Sequence, residues 1–325
     1  MTGHAHRRVA SRERSLFAPV SACWVCGGDQ LARYHELVLD FGPYETQDPD
    51  LHAYSGQTAW LVRCEACGFG QPEVLPTLPR FFDRMYDQRW SEDWIEHEFA
   101  ARYKDLIFDR ILATLGRRAT PGPLLDIGAH TGRFMYLASA RGWQVEGIEL
   151  NPLTAACAAR RTGRPVHRVN ALQLVADQRR YRAVTVTDVL EHIPEPVALL
   201  TTVARLLEPG GWIAVKVPCG PSQWHKERLL AAINPARRVS LADNFVHVNH
   251  FSTPSLTQAL ERAGFTRVTV QTAPPELLPL LAAPLRHGLA NALRLAVYGV
   301  ARLPGAARTP IALHLQAFAQ VRPRA

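Results

Sequence analysis

The stretch Leu124-Leu-Asp-Ile-Gly-Ala-His-Thr-Gly-Arg-Phe134 reads as a short apolar strand, a glycine turn and the first turn of a helix. A run such as Leu124, Leu125 and Ile127 suits a strand buried on both faces, which points to the centre of a parallel sheet. Gly128 and Gly132 let backbone approach a ligand, and Thr131 can cap the helix that follows. Such a turn presents N–H groups and a positive helix end to something polar and anionic.

Outward from this stretch, strand and helix patterns alternate as far as Val270. Strands are expected at 124–128, 144–149, 165–169, 182–187, 211–217 and 266–272, and helices at 131–141, 152–162, 171–177, 196–207 and 254–263. That alternation predicts an α/β fold, a parallel sheet covered by helices on both faces. Ile311 to Gln320 alternates polar and apolar residues and reads as a closing strand. Residues 218–253 are too long for a simple connection and read as a lid or acceptor-binding insertion. Residues 275–308, rich in Leu, Ala and Pro, read as a helical insertion. On an ideal wheel, at about 100° per residue, Arg286, His287, Asn291, Arg294 and Arg302 share one side and Leu289, Leu293, Ala296, Val300 and Leu303 the other. Such a helix packs on its own domain or on a second subunit, as in a homodimer, or rests on a membrane.

A ligand in an open parallel sheet sits at the carboxyl ends of the strands. Here those ends carry Asp126 with the Gly128 turn, Glu149, Asn170 with Ala171, and Asp188 with Glu191 and His192. Glu149 follows Asp126 by 23 residues, where a carboxylate can take both hydroxyls of a ribose. Asn170 can read an adenine edge. A dinucleotide fingerprint starting at Gly128 would need glycine at 130 and 133, where His130 and Arg133 stand. A ligand with a ribose, an adenine and a charged amino-acid tail, but no phosphate, fits better.

The N-terminal third is organised differently. Cys23-Trp-Val-Cys26-Gly and Cys64-Glu-Ala-Cys67-Gly are two copies of one knuckle, separated by 37 residues. Four thiolates suit tetrahedral, structural zinc with no open position. Leu37–Leu39 and Ala59–Val62 are the expected strands of the intervening hairpin. Residues 77–115 show helical aromatic and apolar spacing, and the acidic-aromatic stretch from Tyr86 to Glu98 is placed over the main pocket, with Tyr86 a cofactor contact. The division is a flexible basic tail (1–19), a zinc ribbon (20–76), a helical cap (77–120) and a main domain (121–325).

Bulk properties exclude some classes. No apolar run of 18 residues lacks Arg or Pro, so a spanning helix is not expected. Met1 to Phe17 has no apolar core of a secretory signal, which points to a cytoplasmic protein, peripheral to a membrane at most. The net charge of +8 resides in residues 1–14 and 276–325, and the body balances to zero. Nucleic-acid enzymes carry charge along the body, so a small-molecule acceptor is expected instead.

The ordered series of motifs resembles a class I S-adenosylmethionine-dependent methyltransferase. Its pieces are Leu125–Gly132, Gly147-Ile-Glu-Leu-Asn151, Asp188-Val-Leu-Glu-His-Ile-Pro-Glu-Pro196, Leu207-Glu-Pro-Gly-Gly-Trp212, and His250-Phe-Ser-Thr-Pro-Ser-Leu256 with Ala263-Gly-Phe265. The knuckles and the Phe82-to-Trp90 segment resemble the zinc ribbon of one bacterial subgroup. The resemblance implies a Rossmann-like seven-stranded sheet with the last strand antiparallel. It implies that Gly128, Ala129 and Gly132 surround the amino-acid end of the cofactor, and that Glu149, beside Leu150, holds its ribose. Asn170 and Ala171 would lie by the adenine, Asp188 near the methionine moiety, and Asp126 would orient the loop. His130 departs from the family's usual glycine. The expected activity is O-methylation of a sugar, glycan or secondary metabolite. The alternatives are C-methylation of a nucleotide-linked keto sugar and a non-catalytic cofactor-binding scaffold. A hydroxyl acceptor needs a base, for which histidine is suited near pH 7; His250 and His247 lead, with His192 third.

Overall fold

The computed structural model describes residues 15–87, 91–174, 179–234, 243–305 and 309–322. Its first five strands are β1 (Phe17–Pro19), β2 (Leu31–Val38), β3 (Thr58–Cys64), β4 (Gly70–Pro72) and β5 (Val74–Pro76). β1 pairs antiparallel with β5, and β2, β3 and β4 form a three-stranded antiparallel sheet. The connection between β2 and β3 holds the single-turn helix α1 (Pro49–His52), capped by the Asp48 side chain accepting from Leu51 N. Three helices follow, α2 (Phe81–Asp87), α3 (Glu92–Ala101) and α4 (Asp105–Arg118). Residues 1–14, most of the expected basic tail, lie outside the described residues.

The main sheet comprises β6 (Pro123–Ile127), β7 (Gln144–Ile148), β8 (Val166–His167), β9 (Tyr181–Thr187), β10 (Leu207–Pro218), β11 (Phe265–Thr272) and β12 (His314–Val321). Their order is β11-β12-β10-β9-β6-β7-β8. β12 runs antiparallel to both neighbours, β10 and β11, while β6, β7, β8, β9 and β10 pair in parallel. This is the seven-stranded sheet with an antiparallel last strand that the motifs imply. Between the strands run α5 (Arg133–Ser139), α6 (Pro152–Thr162), α7 (Pro196–Leu206), α8 (Gly220–Ile233) and α9 (Thr253–Arg262); α10 (Pro284–Ala301) precedes β12.

The pleat sends alternate residues of β6 to opposite faces. Leu124 joins Ile111, Leu115 and Phe134 in one core, whereas Leu125 and Ile127 join Leu199, Val203, Leu256 and Leu260 in the other. That second core also contains Val25, Phe69 and the edges of Cys23 and Cys64. The ribbon is thus part of the main core. Val25 and Phe69 are fully buried, and burial of each such side chain contributes about 2 kcal/mol. The rings of Phe69 and Phe251 lie 5.0 Å apart, Arg262 donates to the Val25 carbonyl, and a backbone bridge joins Gly70 to His250.

One expected element differs. The helix at 171–177 is a 3-10 turn at Ala171–Gln173, closed by Gln173 N donating to Asn170 O, and 175–178 lie outside the described residues. The segment read as a lid begins with α8 and ends packed inside the molecule. Phe245, Val248 and Phe251 are fully buried, and Asn249 donates to the carbonyls of Leu190 and Ile193 at 2.7 and 2.6 Å. Those buried apolar contacts and satisfied carbonyls seat this end against the 3-10 turn that follows β9, while residues 235–242 lie outside the described residues.

Candidate active site and cysteine cluster

A cavity of about 420 Å³ opens at the carboxyl ends of β6, β7 and β9. Its floor is the glycine turn. Gly128 has φ +82°, and a Cβ there would meet Val189 Cγ2 at 2.2 Å, so the position requires glycine. Gly128 N and Ala129 N both donate to the Ile148 carbonyl, at 2.8 and 2.9 Å. Gly132, also at φ +82°, lies behind the cavity, where a Cβ would meet Ala158 Cα at 2.8 Å. It allows α5 to pack closely on α6. His130 adopts φ +50°, an uncommon left-handed conformation for a side-chain-bearing residue. The Glu149 carboxylate anchors it, accepting from His130 N at 2.8 Å and from Asn151 N at 3.0 Å. Burial raises the Glu149 pKa, against those backbone donors. Asp126 is buried beneath, accepting from Thr185 Oγ1 at 2.7 Å; burial pushes it up to about 7, with the Glu149 charge adding to the shift.

Asp126, Gly128, Ala129, Glu149, Leu150, Asn170, Ala171, Asp188 and His192 all line the cavity. Asn170 also donates to Asp83 of α2 at 2.7 Å, which ties the cap to the Asn170–Ala171 side of the cavity. Tyr86 stands on the same helix; its side chain lies outside the described residues.

A charged network forms the other wall. Asp188 Oδ2 accepts from Lys104 Nζ at 2.7 Å and Oδ1 from Lys216 Nζ. Burial alone would raise the Asp188 pKa, but the two lysines outweigh it and hold the carboxyl below its usual range. Glu276 Oε1 lies 3.8 Å from Lys216 and 4.0 Å from Lys104. Lys216 is buried, and pairing is what makes a buried ammonium tolerable. The sequence reading missed Lys104, Lys216 and Glu276. One signal was present: a lone lysine in the apolar run Trp212–Val217.

The histidines separate. His192 lines the cavity, and its Nδ1–H donates to the Val246 carbonyl, leaving Nε2 as the basic nitrogen. Burial lowers its pKa to about 4, so it is neutral at physiological pH. His247 does not line the cavity; its ring lies 4.9 Å from that of His192. Glu191, His192 and His247 bring ligand-type atoms within 4.8 Å of one another. His250 stands away from the cavity lining. It is buried between Gly70 and Gly220, and its Nδ1 accepts from Trp224 Nε1 at 3.3 Å. Strand-like pairing with Gly70 carries it into the ribbon contact instead of the cavity.

The four knuckle cysteines converge. Cys23 and Cys67 sulfurs are 3.6 Å apart, Cys26 and Cys64 sulfurs 3.4 Å, and all four lie within 4.8 Å of one another. A tetrahedron with Zn–S of about 2.3 Å spaces its sulfurs at about 3.8 Å, so the cluster fits that ion. Gly27 and Gly68, at φ +78° and +71°, close the two knuckles.

Comparison with known proteins agrees with this geometry. A methyltransferase-domain family matches residues 98–270, more than half of the chain. The chain belongs to that family, and its fold is that of the S-adenosylmethionine-dependent methyltransferases. Among curated proteins, the ubiquinone biosynthesis O-methyltransferase of Dechloromonas aromatica (strain RCB) is 33% identical over 111 residues, 32% of this chain and 46% of that protein. Its counterpart from Idiomarina loihiensis is 33% identical over 96 residues, 28% and 40% respectively. The chain thus spans less than half the length of these two relatives. Among solved structures, Haemonchus contortus phosphoethanolamine N-methyltransferase 2 with S-adenosyl-L-methionine superposes with a TM-score of 0.50 at 19% identity, over 78% of this chain and 63% of that one.

Proposed function

We propose that the chain is an S-adenosylmethionine-dependent methyltransferase that methylates a hydroxyl oxygen of a small molecule, in the class of sugars, glycans and secondary metabolites. The observation that carries this reading is His192, a neutral imidazole oriented by a backbone carbonyl in the same cavity as the glycine turn and Glu149. The relatives named as O-methyltransferases support an oxygen acceptor. Gly128 and Ala129 would hold the amino-acid end of the cofactor, Glu149 its ribose, Asn170 and Ala171 its adenine. Asp188 lies near the methionine portion in this reading. When bound, the cofactor supplies an electrophilic methyl group on a sulfonium.

The chain's own contribution is placement and proton removal. Holding an acceptor in line within the cavity provides much of the rate enhancement in such displacements. His192 takes the hydroxyl proton on Nε2, while the Val246 carbonyl fixes the tautomer and His247 buttresses the ring. The Lys104–Asp188–Lys216 network keeps a fixed charge pattern beside the reacting oxygen, so little reorganisation is needed during transfer. Methyl-labelled cofactor offered with a panel of hydroxyl acceptors tests the reading: label should appear on oxygen. Tight cofactor binding with no labelled product would favour a scaffold, and label on carbon alone would favour the keto-sugar reaction.

The cysteine cluster is proposed to hold one structural zinc. Elemental analysis should give one zinc per chain, and Cys64→Ser should lower the melting temperature by on the order of 10 °C or more, since structural zinc supplies folding energy. A metal-free wild type with the same melting temperature would remove zinc from the account.

A further inference from the structure

Helix α10 carries its leucines on the outside. Leu285, Leu289 and Leu293 recur every four residues and are 86, 75 and 67% exposed, and Leu281, in the turn before the helix, is 98% exposed. Val297, Val300 and Leu303 continue the exposed row. The contacts that hold the helix to the chain are polar. Asn291 accepts from Leu278 N and donates to Leu278 O, at 2.8 and 2.9 Å, and is buried. His287 donates to the Pro279 carbonyl and Arg294 to the Glu276 carbonyl, both at 2.7 Å. A helix on a globular surface normally buries its apolar stripe and exposes its polar one. Here the order is reversed, and a continuous apolar row of this length marks a contact surface.

The charges identify the occupant. At about 100° per residue, the exposed Arg286 lies on the apolar arc itself, between Leu293 and Val297. The helix contains no Asp or Glu, and residues 276–325 hold six Arg against one Glu. A second copy laid against this face would bring like charges together. An anionic lipid surface would accept the leucines at the headgroup–acyl boundary and Arg286 among the headgroups. α10 itself is not long and apolar enough to cross a bilayer. The approach to the helix also runs beside the cavity: Leu277 N donates to Tyr103 O, Glu276 lies 4.0 Å from Lys104, and Tyr103 and Lys104 line the opening.

We propose that α10 docks the protein on an anionic lipid bilayer, with its leucine row inserted and Arg286 against the headgroups. Docked in this way, the chain presents its cavity next to the bilayer, where a membrane-held acceptor would be within reach. The docking surface stands on its own observations and does not depend on the methyl-transfer reading.

The test is flotation of the full chain with vesicles of phosphatidylglycerol and phosphatidylcholine, and with phosphatidylcholine alone. The wild type should float with the mixed vesicles, more weakly as salt rises, and at least tenfold less with the neutral ones. Leu289→Glu with Leu293→Glu should reduce partition more than tenfold, and Arg286→Gln about fivefold. S-adenosylhomocysteine affinity should stay at the wild-type level in both, which shows an intact fold. If the glutamate pair lowers that affinity, Leu289→Ser with Leu293→Ser replaces it and should show the same loss of flotation. A wild type that stays in solution with mixed vesicles overturns the proposal. So does a wild-type dimer, seen by light scattering, that the leucine variants convert to monomer without any vesicle binding. Absence of methyl transfer would leave the flotation result standing.

Discussion

On one side of the cavity, Gly128, Ala129, Glu149 and Asn170 come from the ends of successive strands, and their positions follow from the backbone. On the other side, Lys104, Asp188, His192 and Val246 come from three separate segments, with Glu276 of a fourth beside Lys104, and they hold one another through charge pairing and single hydrogen bonds. The first wall is a property of the fold and admits little change at any position. The second is a property of one particular set of side chains, which hold their places through one another. Substrate choice and proton transfer belong to the second wall in the reading proposed here.

That contrast can be attacked first at His192. Replacing it by Ala should cut turnover by about 10² to 10⁴, the range for loss of a general base, with cofactor affinity unchanged. Equal losses of affinity and turnover would place His192 with the first wall. Next comes Gly128→Ala, which forces a left-handed residue into contact with Val189 and should destabilise the protein by about 2–4 kcal/mol. A stable Gly128→Ala protein that binds S-adenosylmethionine normally would show that this wall is less constrained than its geometry indicates. Glu149→Ala removes a charged acceptor and should weaken cofactor binding on the order of tenfold or more; isothermal titration giving the wild-type value would dismiss the ribose assignment.

The smallest effect is read from pH. Glu191 is buried, its Oε2 has no hydrogen-bond partner, and burial with the nearby Asp188 charge pushes its pKa up to about 8 from an ordinary 4.5. Between those values the folded chain keeps a proton that the unfolded chain releases, so this group's contribution to stability falls as pH rises. Glu191→Gln should therefore gain melting temperature relative to wild type at pH 8 and little at pH 5. Parallel melting curves for the two proteins from pH 5 to 8 would contradict the buried, protonated carboxyl. His192 works in the opposite direction: its pKa lies near 4, so the base stays neutral down to that value, and base-limited turnover should decline only as pH falls towards 4.

The first wall was legible in the sequence because its signals are local. A glycine turn after an apolar strand, an acid ending the next strand, and an Asn-Ala pair after the third each sit where the fold brings them to the cavity. The two cysteine knuckles were legible for the same reason, since each is five residues long. The second wall was not. Lys104 and Glu276 have no periodic or motif context, and they meet Asp188 only through the folded sheet. His250 looked equivalent to His247 because the two stand three residues apart. Backbone pairing with Gly70 carries His250 into the ribbon contact, and Val246 takes the neighbouring turn to His192. The exposed face of α10 was legible as an amphipathic pattern, but only the polar tethers to residues 276–279 showed which face turns outward.

The contact between Gly70 and His250 has a consequence for synthesis. The cysteine cluster is complete in sequence once Cys67 has emerged, yet Phe69 finds its cover, Phe251, only after some 180 further residues. At about 5–20 residues per second that interval is roughly 10–40 s. Throughout it the nascent ribbon carries an uncovered aromatic face, so this small N-terminal unit depends on the arrival of the C-terminal half. Ribosome-bound chains stopped before residue 250 should accordingly recruit chaperones through the ribbon, and longer ones should release them.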